Sequence, residues 1–341
     1  MLNPGIAVDK LESGKVIHML LKQGIVRKDL KIRNDGNTVM IPLMPSAKID
    51  GYRISMMEFE PRNIPVSPAI MVAQSIGHGR DIRIPRKWIR LGDALILKDP
   101  GYRYSRNSIA ALASHTGARS VYLDSGRIEG QTRKPTIRLV YGNPGPVTHT
   151  ENGIRYRMDP AKLMFSPGNV NERIRHGRML LKDSVVLDMF AGIGYFSLPI
   201  AKYSQARKIY AAEINPASYA FLSENIRLNN LAGKITALQG DCRVVIPYIK
   251  ADYIIMGHFD SPHFLSSALI RSHAGTQINL HVLVSSERIA HHWEGIMQRA
   301  RSMGYLMEFK NQSIVKSFAP HLWHVSVHMA VTDVLISGRH I

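Results

Sequence analysis

The sequence predicts an α/β fold in which helices cover both faces of a mostly parallel sheet. The second half of the chain alternates apolar, β-branched runs with helical patterns, which is typical of such sheets. The run Val185–Asp188 is followed by a Gly-x-Gly turn at Gly192 and Gly194, and then by a helical pattern. Two further apolar runs also end in acids, Glu213 and Asp241.

The acids and glycines at the ends of these runs predict a ligand site. Parallel sheets bind nucleotide-like ligands at the carboxyl ends of their strands. Ser197 stands where the dinucleotide fingerprint has its third glycine, so the turn departs from a pyrophosphate cradle. Glu213 is placed to accept hydrogen bonds from the two hydroxyls of a ribose. Asp241 and Cys242 are placed to meet an adenine, and a fourth run, Ala251–Gly257, completes the series.

The N-terminal segment is predicted to form a small α/β module. Val16–Leu21 has a helical pattern, and Leu30–Ile32 and Thr38–Pro42 are predicted strands around a turn at Asn34–Asn37. The stretch Pro61–Pro68 holds three prolines and is predicted to be a linker.

The middle and final regions contain further predicted elements. In the middle region these are the strands Ala94–Leu97, Ser120–Leu123, Lys134–Tyr141 and Ile154–Met158 and the helix Ser108–Thr116. The final region adds the strands Ile278–Val284, Tyr305–Phe318 and Leu322–Val331 and the helix Ile289–Met303. We expect three domains: a small α/β domain at 1–60, a middle RNA-binding domain at 61–160 and a Rossmann-like domain at 161–341.

Composition excludes several classes of protein. The single cysteine rules out a disulfide framework and any cysteine-based zinc or iron–sulfur site. No apolar run is long enough to span a membrane, and charged residues interrupt the N-terminus where a signal peptide would be apolar. His324 and His328 lie in a predicted strand, where their spacing separates them by about 13 Å, so no metal site is expected. We expect a cytoplasmic enzyme, acting as a monomer.

Positive charge is concentrated in the first part of the chain. The net charge is +18, with 30 Lys and Arg against 15 Asp and Glu in residues 1–182, and 14 against 11 in residues 183–341. Such an excess predicts a polyanionic partner and salt-sensitive binding, unless it is a general adaptation for solubility. Trp88 and Tyr102 could stack on bases, which favours RNA. The residues expected to bind RNA here are Arg83, Arg86, Lys87 and Arg90.

Four motifs together resemble one enzyme family. They are Met164–Arg173, Asp188–Phe196, Glu213–Pro216 and Lys316–Val325. The chain resembles the wybutosine-synthesising tRNA aminocarboxypropyltransferases, a sister family of the tRNA guanine-N1 methyltransferases. The resemblance covers residues 160–331 and extends more loosely over Ser13–Leu43. It implies a class I S-adenosylmethionine-dependent transferase fold with a Rossmann-like, mostly parallel seven-stranded sheet.

The resemblance also implies roles for individual residues. Ser166 and Arg173 are expected against the S-adenosylmethionine cofactor, with Glu213 on its ribose and Asp241 and Cys242 on its adenine. The turn that contacts the cofactor is expected to contain Phe190, Gly192 and Gly194. Lys316 is expected to bind RNA. No obligate catalytic acid or nucleophile is expected, because a sulfonium is already activated; the candidates are His258 and His263.

The segment after the fourth strand separates the two sister families. In Met256–His263, Gly257 and His263 resemble the glycine–histidine pattern of the aminocarboxypropyl family, although Asp260 stands where that family often has another histidine. We therefore expect transfer of the 3-amino-3-carboxypropyl group to the wyosine-precursor guanosine at position 37, 3′ of the anticodon of tRNA(Phe). The alternatives are a tRNA guanine-37-N1 methyltransferase, a non-catalytic tRNA-binding protein, and a related domain that binds another adenosine ligand.

Overall fold

The protein is described here by a computed structural model that covers residues 2–62, 67–76, 85–129 and 134–335. The chain divides into two compact units, Met1–Met71 and Val72–Ile341. Among the described residues, no helix is long and apolar enough to cross a membrane.

The strands, in chain order, are β1 (Leu2–Asp9), β2 (Arg33–Asp35), β3 (Thr38–Pro42), β4 (Ser55–Glu58), β5 (Ile89–Leu91), β6 (Ala94–Lys98), β7 (Ser120–Glu129), β8 (Lys134–Gly142), β9 (Val147–Glu151), β10 (Ile154–Met158), β11 (Val185–Asp188), β12 (Lys208–Glu213), β13 (Ile235–Gln239), β14 (Tyr253–Met256), β15 (Gln277–Ser285), β16 (Tyr305–Ala319) and β17 (Leu322–Val334).

The α-helices are α1 (Ser13–Lys22), α2 (Pro68–Ile76), α3 (Arg106–Thr116), α4 (Val170–Gly177), α5 (Ser197–Tyr203), α6 (Pro216–Leu228), α7 (Cys242–Val245), α8 (Leu265–Leu269) and α9 (His292–Ser302). Short 3₁₀ helices span Pro167–Asn169, Ser261–Phe264 and Ser286–Arg288.

The first unit is an antiparallel sheet with the strand order β2-β3-β1-β4, accompanied by α1. Ile6, Leu20 and Ile41 are fully buried in its core. Sequence patterns did not predict β1, because Pro4 and Gly5 interrupt its apolar run and both residues are unfavourable inside strands.

The predicted strand at Leu30–Ile32 is wrong. On the outer side of β3 the partner strand is β2, which begins at Arg33, three residues after Leu30, and Leu30 makes only an isolated bridge to Pro61. The reason is the turn: Asp35 pairs directly with Thr38, which leaves a two-residue connection where the pattern suggested four. With a two-residue turn the pairing continues as far as Asp35 and Thr38, so the strand is formed by the polar residues Arg33–Asp35.

The second unit begins with a four-stranded sheet in the order β5-β6-β7-β8. The predicted strands and helix of this region are confirmed at β6, β7, β8, β10 and α3, whereas α2 was not predicted. Val72 of α2 and Leu112 of α3 pack on Leu95 and Val121 of the sheet, and all four are fully buried. The strands β9 and β10 form a separate hairpin that leads into the larger sheet.

The predicted seven-stranded sheet is confirmed, with the strand order β13-β12-β11-β14-β15-β17-β16. The strands from β11 to β15 pair in parallel, and β17 runs antiparallel between β15 and β16. The four residues of β14 are all buried, as expected for a central strand covered on both faces. The order reverses between β11 and β14, which is the switch point where open α/β sheets bind their ligands.

Candidate active site

A cavity of ≈ 280 Å³ lies at the carboxyl ends of the central strands of the larger sheet. Each of four adjacent strands contributes residues from the loop that follows it or from its own end. These residues are Phe190 and Gly192 after β11, Glu213 at the end of β12, Asp241 and Cys242 after β13, and Gly257 and His258 after β14.

The carboxylate of Glu213 is the best-defined polar group of the cavity. One oxygen accepts a hydrogen bond from the backbone N–H of Gly192 and the other from that of Asn215, both at 2.7 Å. Burial raises the pKa of Glu213, while these two bonds favour the charged form. Each carboxylate oxygen can accept a second hydrogen bond, so the side chain is suited to a pair of hydroxyls.

Ser197, which breaks the dinucleotide fingerprint, has a structural partner. Its hydroxyl donates a hydrogen bond of 2.6 Å to Asp188, and both residues are fully buried. Burial raises the pKa of Asp188 to about 6. A glycine at this position would leave that buried carboxyl without its hydroxyl donor, which explains the departure from the fingerprint.

Asp241 and Cys242 begin α7 beside the cavity. The Asp241 carboxylate caps the helix by accepting from the N–H of Arg243 at 2.9 Å, and it pairs with the Arg243 guanidinium at 2.5 Å. These contacts lower the pKa of Asp241. Burial raises the pKa of the Cys242 thiol to about 12, so this thiol is protonated and not nucleophilic at neutral pH.

Gly257 allows an aromatic ring to approach the cavity floor. A Cβ at this position would lie 2.8 Å from the ring of Phe196, which is closer than real Cβ contacts come. In the next residue, His258, Nδ1 accepts a hydrogen bond of 3.2 Å from the N–H of Asp260. The same Nδ1 lies 3.6 Å from the Asp260 carboxylate.

The far side of the cavity is built from Ser166, Lys316 and the buried residue Arg173. The Lys316 ammonium donates a hydrogen bond of 2.6 Å to the Ser166 hydroxyl. The Arg173 guanidinium forms a bidentate ion pair with Glu151, at 2.5 and 2.6 Å, and donates to the Ser166 carbonyl at 3.0 Å. Two cationic groups thus converge on one short segment of chain.

A buried cluster of histidines lies behind the cavity, around Asn279. The Asn279 Oδ1 faces Nε2 of both His176 and His281 at 3.1 Å, and its Nδ2 lies 3.0 Å from Nε2 of His328. His281 Nδ1 lies 2.8 Å from Nε2 of His324, which lines the cavity. Burial lowers the pKa of His176 to about 4 and that of His328 to about 3, so both are neutral at neutral pH.

Most of the residues predicted for the cofactor are brought together in this cavity. The predicted cofactor residues that line it are Ser166, Arg173, Phe190, Gly192, Glu213, Asp241 and Cys242. The catalytic candidate His258 and Lys316, which was expected to bind RNA, line it as well. Gly194 does not line it; this position requires glycine because its φ is +100° and a Cβ there would lie 2.6 Å from the Leu198 side chain. His263 is exposed on a 3₁₀ helix and does not line it either.

The predicted RNA-binding cluster is described only in part. Arg86 and Lys87 are exposed, and Arg83 lies outside the described residues. The Arg90 guanidinium donates to the carbonyl of Thr116 at 2.7 Å, at the end of α3, so this side chain has a structural partner. Trp88 packs on the buried cluster beneath α3.

Five aromatic residues of the cavity were not predicted as site residues: Tyr195, Phe196, Phe259, Phe264 and His324. His324 belongs to the motif Lys316–Val325 and lies 2.8 Å from His281, and in the described residues no group of three or more potential ligands is placed to hold a metal ion. The motif Lys316–Val325 was the available signal for His324. It contains both Lys316 and His324, so the hairpin of β16 and β17 that carries it reaches the cavity.

Segments of both units match models of known protein families. Residues 147–304 match the model of the TRM5/TYW2 methyltransferase domain, and residues 71–145 match that of the TYW2 N-terminal domain. Residues 5–50 match the tRNA methyltransferase 5 N-terminal domain.

Individual relatives are also similar. The tRNA(Phe) (4-demethylwyosine(37)-C(7)) aminocarboxypropyltransferase of Pyrococcus horikoshii is 38% identical over 251 residues, covering 73% of this chain and 90% of that protein. The crystal structure of Pyrococcus horikoshii TYW2 with MeSAdo matches with a TM-score of 0.69 at 32% identity, over 76% of this chain and 98% of that one. That of Methanocaldococcus jannaschii TYW2 with AdoMet matches with a TM-score of 0.60 at 29% identity, over 73% and 100%. The chain therefore belongs to the TYW2 family of tRNA(Phe) 4-demethylwyosine aminocarboxypropyltransferases.

Proposed function

We propose that this protein transfers the 3-amino-3-carboxypropyl group of S-adenosylmethionine to C7 of 4-demethylwyosine at position 37 of tRNA(Phe). The observation that carries the proposal is the similarity to the Pyrococcus horikoshii enzyme, which extends over 90% of that protein. The cavity supports it, since it joins residues from four parallel strands in the place where such folds bind adenosine ligands.

The residues of the cavity fit an adenosine. Glu213 presents two oxygens that are held in place by backbone N–H groups, which suits the two hydroxyls of a ribose. Asp241 follows the neighbouring strand β13 and lines the cavity where an adenine is expected, and its carboxylate accepts four hydrogen bonds from Arg243, so an adenine amino group would have to displace or share one of them. Gly257 keeps the floor beside Phe196 open.

Strand order supports an orientation for the donor. Glu213 ends β12 and Asp241 follows β13, and both strands lie on one side of β11. Lys316 belongs to β16, at the opposite edge of the same sheet. An adenosine over β12 and β13 therefore directs the rest of the ligand toward Ser166 and Lys316. A cationic ammonium there matches the carboxylate of an amino acid chain.

Positioning is the main contribution of these residues to the reaction. When bound, S-adenosylmethionine supplies carbon atoms activated by the sulfonium, so an in-line approach of about 3 Å is the principal requirement. The residues of the cavity hold the donor and exclude water around it. Cys242 takes no part as a nucleophile, because burial raises the pKa of its thiol to about 12.

Methyl transfer is the second candidate function, since residues 5–50 match the tRNA methyltransferase 5 N-terminal domain. Incubation with tRNA and a donor labelled separately in the methyl and carboxyl groups distinguishes the two. We expect only carboxyl label in the RNA, with methylthioadenosine as by-product. Methyl label in the RNA, with S-adenosylhomocysteine as by-product, would establish the methyltransferase instead. Cofactor binding without product on tRNA that carries 4-demethylwyosine or an unmodified guanosine would support a non-catalytic tRNA-binding protein.

We also propose that the protein acts in the cytoplasm as a monomer. The tRNA substrate supports the first statement, because tRNA is found there. Cell fractionation tests the location. Sedimentation of the purified protein, at 38.2 kDa per chain, tests the oligomeric state.

A further inference from the structure

Glu151 forms an ion pair with the buried side chain of Arg173. The Arg173 side chain is 3% exposed, and its Nε and Nη2 donate to the two Glu151 oxygens at 2.5 and 2.6 Å. Its Nη1 donates to the Ser166 carbonyl at 3.0 Å, and the guanidinium lies 4.6 Å from the ring centre of Phe165. Each of the three guanidinium nitrogens therefore donates to the protein itself.

The segment that Arg173 holds forms one wall of the cavity. Leu163, Met164 and Ser166 all line the cavity. The Tyr195 hydroxyl donates to the Met164 carbonyl at 2.5 Å, and the Lys316 ammonium donates to the Ser166 hydroxyl at 2.6 Å. Arg173 therefore holds the backbone of Ser166, and Lys316 holds its side chain.

Glu151 itself acts from outside the cavity. It belongs to β9, a strand that is described throughout and contributes no residue to the cavity wall. Its effect on a ligand must therefore pass through Arg173. A buried guanidinium that loses its partner carries an uncompensated charge, which destabilises the arrangement that it holds.

We propose that Glu151 is a positioning residue for the aminocarboxypropyl end of the donor. Through Arg173 it fixes the Ser166 backbone, so that the Ser166 hydroxyl and the Lys316 ammonium face the amino acid chain beyond the sulfur. This inference rests on the proposed function, because it takes the adenosine to lie over β12 and β13. It assigns Arg173 an indirect role where the sequence resemblance implies direct contact.

Two neutral thioethers, one with the amino acid chain and one without it, test the proposal. S-Adenosylhomocysteine carries the chain on the sulfur, whereas methylthioadenosine carries a methyl group in its place. Titration calorimetry of Glu151→Gln is expected to show a loss of about ten- to a hundredfold in affinity for S-adenosylhomocysteine, the range for charged hydrogen bonds. Affinity for methylthioadenosine is expected to stay within about twofold, a change of under about 0.5 kcal/mol.

Glu224→Gln is the matched control. Glu224 pairs with Arg157 at 3.3 Å, but both side chains are substantially exposed, at 45% and 39%. Exposed pairs of this kind contribute little, so neither ligand should lose affinity. Glu151→Asp is the second variant, because it keeps a charge beside Arg173 and withdraws it by one methylene. It decides the question if Glu151→Gln does not fold, and we expect an intermediate, equally selective loss.

The outcomes separate this proposal from the function on which it rests. Equal losses for both ligands would show that Glu151 only stabilises the fold, and unchanged affinities in a folded Glu151 variant would show that it positions nothing. Either result overturns the inference and leaves the proposed function intact. If the wild-type protein bound neither ligand, the proposed function itself would fail.

Discussion

Lys316 and Ser166 are 150 residues apart in the chain, and the Lys316 ammonium donates a hydrogen bond of 2.6 Å to the Ser166 hydroxyl. This contact ties the hairpin of β16 and β17 to the segment that precedes the parallel strands. It places a cation inside the cavity, where the sequence resemblance had suggested an RNA contact. The amino acid end of a bound S-adenosylmethionine is therefore expected to meet Lys316.

Replacing Glu213 should weaken cofactor binding selectively. Glu213→Ala removes two charge-assisted acceptors at the ribose position, so we expect a loss of about 1.5–3 kcal/mol in the binding free energy of S-adenosylmethionine. Affinity for tRNA should be nearly unchanged, because the carboxylate faces into the cavity. Calorimetry with each ligand measures both. A greater loss for tRNA than for the cofactor would mean that this carboxylate does not serve the ribose.

A methyl group at Gly257 should disturb the cavity floor. In Gly257→Ala the new Cβ would lie 2.8 Å from the Phe196 ring, so the ring must shift. We expect a destabilisation of about 1–3 kcal/mol, as for other overpacked sites, with weaker cofactor binding. Gly233→Ala is the control, since a Cβ there meets nothing within 4 Å. Thermal unfolding and cofactor titration of the two variants should differ; equal behaviour would contradict the close approach.

Neutralising the basic cluster should reduce the salt dependence of tRNA binding. Arg86 and Lys87 are exposed, and each phosphate contact contributes about 0.7–0.9 to the slope of log affinity against log salt. The double variant Arg86→Gln, Lys87→Gln should lower the slope, whereas Arg207→Gln, Lys208→Gln should change it less. Filter binding at several salt concentrations measures the slopes. Equal effects would show that the excess charge is a diffuse feature for solubility.

Acid should destabilise the protein through its buried histidines. Burial lowers the pKa of His328 in the fold to about 3 from its ordinary value of 6.5, so between these values the unfolded chain binds more protons. The neutral His328 side chain therefore contributes fully to the free energy of unfolding above pH 6.5, and this contribution is lost as the pH falls toward 3. Asp188 acts in the opposite sense, because its raised pKa of about 6 favours the folded state in acid.

The variant His328→Gln isolates the histidine contribution from that of Asp188. Urea unfolding of both proteins at about pH 7.5 and about pH 5 gives the comparison. We expect the wild-type protein to lose more stability than the variant over this range. An identical loss in the two proteins would mean that His328 is not the group that titrates.

Much of the larger sheet follows from local sequence. Val185–Asp188 and Lys208–Glu213 are apolar runs closed by an acid, and both strands form where the pattern predicts them. A strand that is buried on both faces must be apolar almost throughout, so its pattern is visible without tertiary information. In the first unit the pattern fails at β1 and β2, because their pairing compensates for Pro4, Gly5 and a polar composition.

Local sequence patterns specify where the strands end, and with them the adenosine side of the site: Gly192, Glu213, Asp241 and Cys242 each follow or end a recognisable strand. The other side of the site depends on tertiary contacts. Lys316 reaches Ser166 only because β16 folds back to the edge of the sheet, and Arg173 is occupied by Glu151 from a separate hairpin. Local patterns specify which residues end a strand. They do not specify which distant side chains meet, because those contacts depend on strand order and burial.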